Sequence, residues 1–286
     1  MSQDIQGQRV VVITGASTGI GRATALLLDE LGFRVFAGVR KSADGDALLE
    51  LSSQRLEPLL LDVTDEEMVT AAFERVEAAA PEGLYGLVNN AGLSLNGPLE
   101  LVDVSAMRQL LDVNVLGVLV VTKAFLPLLR KGRGRIVNVS SGHGLLAIPD
   151  KSAYAASKFA VQAISDSLRV ELLPFGVRVS SVVVGKVETE VLGKIEASRQ
   201  QLLASAPPET VSLYQPLLSY FDAEVKDLPS IPAEQAASVL ARALTDTTPK
   251  RRYLVGPGAR KMSILSHVPA GMRDRMLANA IYGRSG

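Results

Sequence analysis

The chain has 286 residues, 47% of them hydrophobic and 21% charged, and its 30 Lys plus Arg balance 30 Asp plus Glu. A neutral chain of this size can bury a sizeable core and has no general electrostatic reason to bind nucleic acid or an anionic membrane. The absence of cysteine excludes disulfides, thiolate catalysis and Cys-based metal centres. With only His143 and His267 as imidazoles, no metal site is expected.

The first ten residues, M-S-Q-D-I-Q-G-Q-R-V, lack a basic start followed by an apolar run, so no secretory signal is predicted. Residues 9–14 read as a buried strand, 20–31 as a helix stopped by Gly32, 34–39 as a second strand and 43–51 as a helix. A third strand at 56–61 precedes a helix at 65–80, whose acidic start suits its dipole. A fourth strand follows at 84–89, then a long helix at about 105–130. Its most apolar part, 115–129, is interrupted by Thr122, Lys123 and Pro127, so no transmembrane anchor is expected and a cytoplasmic location is. A fifth strand at 134–140, a helix at about 152–173 and a sixth strand at 176–184 complete the regular alternation.

Short apolar strands alternating with helices imply an α/β fold: a doubly wound (Rossmann) parallel sheet with helices on both faces. The rhythm breaks after Gly185. Residues 187–230, with Pro207, Pro208, Pro216 and Pro229, read as a mobile helical lid over a substrate. A helix at 232–244, a last strand at 252–255 and a helical tail at about 257–286 follow, all within one domain spanning 1–286. Lid residues such as Leu202, Leu217, Leu218 and Phe221 suggest a lipophilic substrate, with loop 93–99 (Leu93, Leu95, Leu99) and Leu145–Leu146 as the opposite wall.

The first strand runs straight into T-G-A-S-T-G-I-G, with Gly15, Ser17, Thr18, Gly19, Ile20 and Gly21 between strand and helix. Glycines permit close backbone approach, and a helix N-terminus there points N–H groups at a pyrophosphate. The second strand ends in G-V-R-K, with Arg40 where an acidic residue would bind ribose hydroxyls. A guanidinium suits a 2′-phosphate, so NADP(H) is favoured, with NAD(H) retained as the alternative. Asp62 and Val63 end the third strand, where an adenine edge would lie, although Asp62 also suits a strand-end turn.

The fourth strand ends N-N-A-G (89–92), the fifth N-V-S-S-G-H-G (138–144), and the next helix carries Y-A-A-S-K (154–158). With the glycine turn, and in this order, these motifs make the chain resemble the short-chain dehydrogenase/reductase family over about residues 8–190, and within it the branch acting on steroids, retinoids and other bulky alcohols. The resemblance implies Tyr154 as general acid/base, Lys158 as its partner, Ser141 as the hydroxyl orienting the substrate and Asn114 as the fourth catalytic member. It also implies cofactor contacts by Asn89, Ala91, Gly92, Tyr154, Lys158, Gly185, Val187 and Thr189. Ser141, Tyr154, Leu145 and His143 would meet the substrate, while His267 reads as structural or solvent-facing. Family members usually pair subunits through helices corresponding to 105–130 and 152–173, so a homodimer or homotetramer is implied. V-G-K-V-E-T (184–189) departs from the family's P-G-x-x-x-T by Val184, which puts the rigidity of that turn in question.

A free phenol has a pKa near 10, too high for an easy base at neutral pH. Lys158 at i+4 shares a helix face with Tyr154, and its ammonium, with the positive nicotinamide of the oxidised cofactor, should favour the phenolate. An asparagine inside a helix is locally unfavourable, and a part for Asn114 in holding a water of a proton relay through Lys158 would explain it. The resulting expectation is an NADP(H)-dependent oxidoreductase interconverting a lipophilic secondary alcohol and a ketone. The alternatives are a catalytically silent NADP(H)-sensing regulator of the same fold, or another chemistry on it such as epimerisation.

Overall fold

Val10 and Val12 face one side of the sheet and Val11 and Ile13 the other, and all four are buried. That alternation in β1 (Val10–Ile13) makes the strand central, because side chains on a pleated strand point to opposite faces and both faces here are covered. The computed structural model describes residues 9–227 and 229–283. The N-terminal stretch expected to carry no signal lies outside the described residues, as do the side chains of Val191 and Leu192 in the expected lid.

The elements follow as α1 (Gly19–Glu30), β2 (Arg34–Val39), α2 (Ser42–Leu49), β3 (Leu56–Leu60), α3 (Glu66–Ala79) and β4 (Gly86–Asn89). The acidic start read in the sequence is a working cap. The Asp65 carboxylate accepts from the N–H groups of Glu67 and Met68, both at 3.0 Å. Next, α4 (Val104–Leu111) passes through a π-helical turn (Asp112–Leu116) into α5 (Gly117–Lys131). Then come β5 (Arg135–Ser141), α6 (Ser152–Glu171) and β6 (Arg178–Val184). The helix predicted as continuous over 105–130 is therefore widened in its middle, around Asn114.

Seven parallel strands form one sheet in the order β3-β2-β1-β4-β5-β6, with the last strand, β9 (Arg252–Val255), beside β6. Strand order reverses between β1 and β4, and the crevice at the C-terminal ends there is where open α/β sheets bind ligands. On one face α1, α2 and α10 (Ala233–Thr245) bury Ala25, Leu28, Leu48, Leu240 and Leu244. On the other, α3 and α5 bury Val69, Val76, Val121, Phe125 and Leu128. Each fully buried aliphatic or aromatic side chain contributes about 1.5–3 kcal/mol, so these two layers hold the crevice in place.

Residues 187–232 form β7 (Val187–Glu188), α7 (Val191–Ser205), α8 (Pro208–Leu213), α9 (Gln215–Asp227) and β8 (Ile231–Pro232). The two short strands pair in parallel. Leu217, Leu218 and Phe221 are buried, whereas Leu213 is exposed. Leu99, expected in the opposite wall, is exposed at 60% and does not line an enclosed surface. The helical tail begins where the pattern placed it. Gly256, at φ +81, turns the chain out of β9, and Pro257 starts α11 (Gly256–Leu265). Pro269 then precedes α12 (Ala270–Tyr282). The tail packs within the chain: Met262 sits against Gly142 and α12 packs on α9.

Candidate active site

The glycine turn is shaped by steric exclusion. Gly15 has φ +66, and a Cβ there would lie 2.8 Å from Ala91 Cα; a Cβ on Gly21 would fall onto the Gly15 carbonyl. Two polar residues within the motifs hold this approach. Thr14 Oγ1 accepts from the N–H groups of Asn90 and Ala91, both at 3.0 Å. Asn90 Nδ2 donates to the carbonyls of Thr14 and Gly15 at 3.0 and 2.9 Å. Thr189 lies over Gly19, so the segment after β6 folds back onto the turn. The result is a backbone cradle at the N-terminus of α1, with Ser17, Thr18 and Ile20 on its rim. It fits the diphosphate of a dinucleotide, because the glycines let Ala91, Asn90 and Thr189 close on a tight turn at the N–H end of α1.

At the C-terminal ends of β2 and β3, Arg40, Asp62, Thr64, Arg108, Gln109 and Asp112 line a cleft of about 310 Å³. Asp62 Oδ1 accepts from Thr64 N–H at 3.0 Å and from the Thr64 hydroxyl at 2.7 Å, so it serves as a turn residue as well as a cleft wall. Val63 turns its side chain into the core against Gly117, leaving only its backbone toward the cleft. The Asn89 side chain also points inward. It donates to Asn138 Oδ1 at 2.8 Å and Thr122 Oγ1 at 3.0 Å, and Asn138 continues to Ser165. That buried chain ties β4 to β5 and to the helices beneath.

Ser141 ends β5, where its hydroxyl accepts from the His143 N–H at 3.3 Å, and Tyr154 lies on the first turn of α6, with the Ser141 hydroxyl near enough to act on the phenol. Lys158 is buried 5.9 Å from the Tyr154 ring centroid, with Nζ donating to the Val139 carbonyl at 3.2 Å. Among the described residues no carboxylate lies within 4.0 Å of this ammonium, and burial pulls its pKa down to about 8. Burial also pushes the Tyr154 phenol above its usual value, opposed by the Ser141 hydroxyl. The expected acidified tyrosine is thus not what this arrangement produces on its own, because desolvation outweighs the other influences on the hydroxyl.

Asn114 sits in the π-helical turn, and its carboxamide is fully committed. Oδ1 accepts from Leu93 N–H at 2.7 Å, while Nδ2 donates to the Leu93 carbonyl at 2.9 Å and to Ser157 Oγ at 3.0 Å. Asn114 therefore fastens loop 93–99 to the helix of Tyr154 and Lys158, with both Nδ2 hydrogens used and one lone pair of Oδ1 engaged. Gly92 lies in the same corner, where a Cβ would meet Asn114 Oδ1 at 3.3 Å and Lys158 Nζ at 3.5 Å.

His143 packs edge-on against Tyr154, with ring centroids 5.8 Å apart. Burial, with the nearby Lys151 charge, lowers its pKa to about 3, so it is neutral at physiological pH. Its buried Nδ1 has no hydrogen-bond partner among the described residues. Lys151, just before α6, was not singled out from the sequence. Its side chain is only 11% exposed and its Nζ lies 4.0 Å from Asp150 Oδ2. Leu145 is partly buried beside His143. Gly185 and Val187 stand at the sheet edge, where Gly185 N–H donates to Val255 O at 2.9 Å. Val184 is not part of a loose turn: it is a buried strand residue in register with Ser141 on one side and Val255 on the other.

Comparison with known proteins follows the same lines. A family profile described as short chain dehydrogenase matches residues 9–200. Retinol dehydrogenase 5 of Homo sapiens is 38% identical over 95% of this chain and 91% of its own length. The mitochondrial D-beta-hydroxybutyrate dehydrogenase of Bos taurus is 36% identical over 96% and 85%. A crystal structure of a short chain dehydrogenase from Burkholderia cenocepacia J2315 in complex with NADP superimposes with a TM-score of 0.73. It is 28% identical and covers 96% of this chain and 99% of that one.

Proposed function

The chain belongs to the short-chain dehydrogenase family and is a nicotinamide-dinucleotide-dependent oxidoreductase acting on CH–OH groups; from that premise we propose that it interconverts a lipophilic secondary alcohol and a ketone, with Tyr154 as the acid–base group. One observation carries the reading. The Ser141–Tyr154 hydroxyl pair stands at the sheet edge beside the glycine cradle, backed by a buried ammonium with no acidic partner among the described residues.

The dinucleotide, when bound, supplies or receives the hydride at the substrate carbon. Every remaining task falls to this chain. Ser141 bonds the reacting oxygen and fixes its angle. Tyr154 gives that oxygen a proton in reduction and takes it back in oxidation, so hydride plus proton account for both hydrogens added. Burial keeps the phenol protonated at neutral pH, which readies it for the reducing direction. Lys158 holds positive charge behind the ring and, with the β4–β5 ends, frames the ribose side of the cofactor site. Asn114 keeps loop 93–99 docked against this helix.

NADP(H) is the proposed cofactor, supported by two guanidiniums, Arg40 and Arg108, on the cleft where the adenosine ribose would lie. Lys151 and His143 favour a second substrate reading. A buried cation whose charge reaches His143, the ring packed on Tyr154, suits a hydroxy acid, the class named for the Bos taurus relative. A homodimer or homotetramer is supported by the exposed apolar residues Leu116 at the end of the π-helical turn, Leu119 on α5 and Phe159 on α6. Light scattering on Phe159→Glu should then report a smaller species. A cytoplasmic location is part of the reading, supported by a sequence free of cysteine, and recovery in a membrane fraction would overturn it.

The decisive experiment follows oxidation of NADPH and NADH against steroid ketones, retinal, quinones and short 3-keto acids, with the matching alcohols for the reverse direction. The expected result is turnover with NADPH and a bulky carbonyl. Turnover confined to 3-keto acids, and lost in Lys151→Gln, would establish the second reading. Cofactor binding without any turnover would leave the silent regulator, and product without net redox would leave epimerisation.

A further inference from the structure

Asp150 is the one described non-glycine residue besides Arg133 with a positive φ, at +68, and its carboxylate is buried one helical turn ahead of Tyr154. A buried carboxylate needs a partner, and Arg199 of α7 supplies it. Its Nη1 donates to both Asp150 oxygens at 2.8 and 3.0 Å, and its Nη2 donates to Asp222 Oδ1 on α9 at 2.8 Å. Side-chain exposure is 7% for Arg199 and 2% for Asp150, against 55% for Asp222. The inner contact is therefore screened by protein and the outer one by water. Lys151 is the other cation facing Asp150, 4.0 Å from Oδ2.

Backbone contacts converge on the same junction. Gly97 N–H donates to the Asp150 carbonyl at 2.8 Å. Gly97 itself has φ +150, and a Cβ there would lie 2.5 Å from Leu202 Cδ2, so loop 93–99 is pressed against α7 close to Arg199. A second tie holds the outer end, where the Tyr214 hydroxyl donates to Glu100 Oε2 at 2.7 Å.

We propose that Arg199 is a positioning residue for the substrate side of the site: one guanidinium fastens α7 and α9 to the residue that leads into the Tyr154 helix, and so sets how the lid sits over the reacting hydroxyl. Apolar side chains would fill the same space, but they would not fix orientation as a fork bound to two carboxylates does. The effect on substrate rests on the reading above that α7 to α9 cover the substrate; the fastening itself does not.

The test uses the full chain with three variants. Asp150→Asn with Arg199→Met removes the inner pair and both of its charges, leaving Lys151 as a buried cation that loses a carboxylate, and asparagine tolerates the left-handed backbone. Amide exchange in α7 and α9 should accelerate by roughly tenfold or more, while the sheet and α1 keep their protection. KM for the best substrate of the panel above should rise on the order of tenfold to a hundredfold, with the NADPH dissociation constant unchanged. Arg199→Lys should restore part of both effects, and Asp222→Asn should change them least. Unchanged exchange in α7 and α9, acceleration spread evenly through the sheet, or local acceleration with unchanged KM would each overturn the proposal. Should no panel compound be turned over, the functional reading fails, and the exchange measurement alone decides the fastening.

Discussion

Around the glycine turn after β1, contacts are made by backbone and neutral side chains: Thr14 and Asn90 bond main-chain groups, and Gly15 and Gly21 admit neighbours that a Cβ would exclude. Around the lid the contacts are ionised side chains on different helices, with Arg199 between Asp150 and Asp222. The first kind is rigid and tolerates almost no change in side-chain volume. The second depends on paired charge and fails when one member is lost. Tyr154 and Ser141 stand where the two regions meet, so each substitution below loads one side or the seam.

The largest effect is expected at the seam. Tyr154→Phe should lower kcat by about 10²–10⁴-fold with NADPH binding retained, read by steady-state rates and nucleotide fluorescence titration. Retained turnover would remove Tyr154 from the proposed chemistry. Gly21→Ala loads the neutral side: its methyl group meets the Gly15 carbonyl, so dinucleotide affinity should fall on the order of a hundredfold in the same titration.

His143 gives the seam a pH dependence. The native state holds it neutral down to about 3, whereas the unfolded chain protonates it near 6.5, the ordinary value of an imidazole. The unfolded state therefore binds more protons between these values, and stability falls as pH drops below 6.5. The loss is about 2–3 kcal/mol by pH 4.5. His143→Asn should flatten the acid side of a denaturation-midpoint profile against pH, and an unchanged profile would rule His143 out as its source.

Arg40→Asp should shift cofactor preference toward NADH by about tenfold, measured as the ratio of the two dissociation constants. The smallest effect is a control for the comparison. Gly193 in α7 has nothing within 4 Å of a Cβ position, so Gly193→Ala should stabilise that helix by about 0.5–1 kcal/mol by denaturant midpoint, where the same change at Gly21 is damaging.

This contrast also explains what could be read in advance. The parallel sheet was legible because strands covered on both faces must be continuous runs such as V-R-V-S-S-V-V-V, and the glycine cradle because only glycine fits there. Ser141, Tyr154 and Lys158 were singled out through the family resemblance, and the fold brings a strand end and a helix face together there. Arg199 was not, because its partners lie 49 and 23 residues away and nothing local marks them. Asn90, Thr14 and Lys151 look like ordinary turn and cap residues until the chain is folded. The acidified tyrosine was expected from a neighbouring charge, but depth of burial decides the direction, and burial is set by the whole fold.

The π-helical turn at Asp112–Leu116 holds one residue more than an α-helical turn would. Deleting a single residue there would let the segment re-wind as ordinary helix, with the turns on either side keeping nearly the same phase. Arg108 and Gln109 would stay on the nucleotide cleft, while the widened backbone that presents the Asn114 carboxamide to Leu93 would close. A shorter chain with higher helical content by circular dichroism, nucleotide binding kept and loop 93–99 loosened is the signature. The protein would gain regularity and lose the clasp between that loop and the helix of Tyr154.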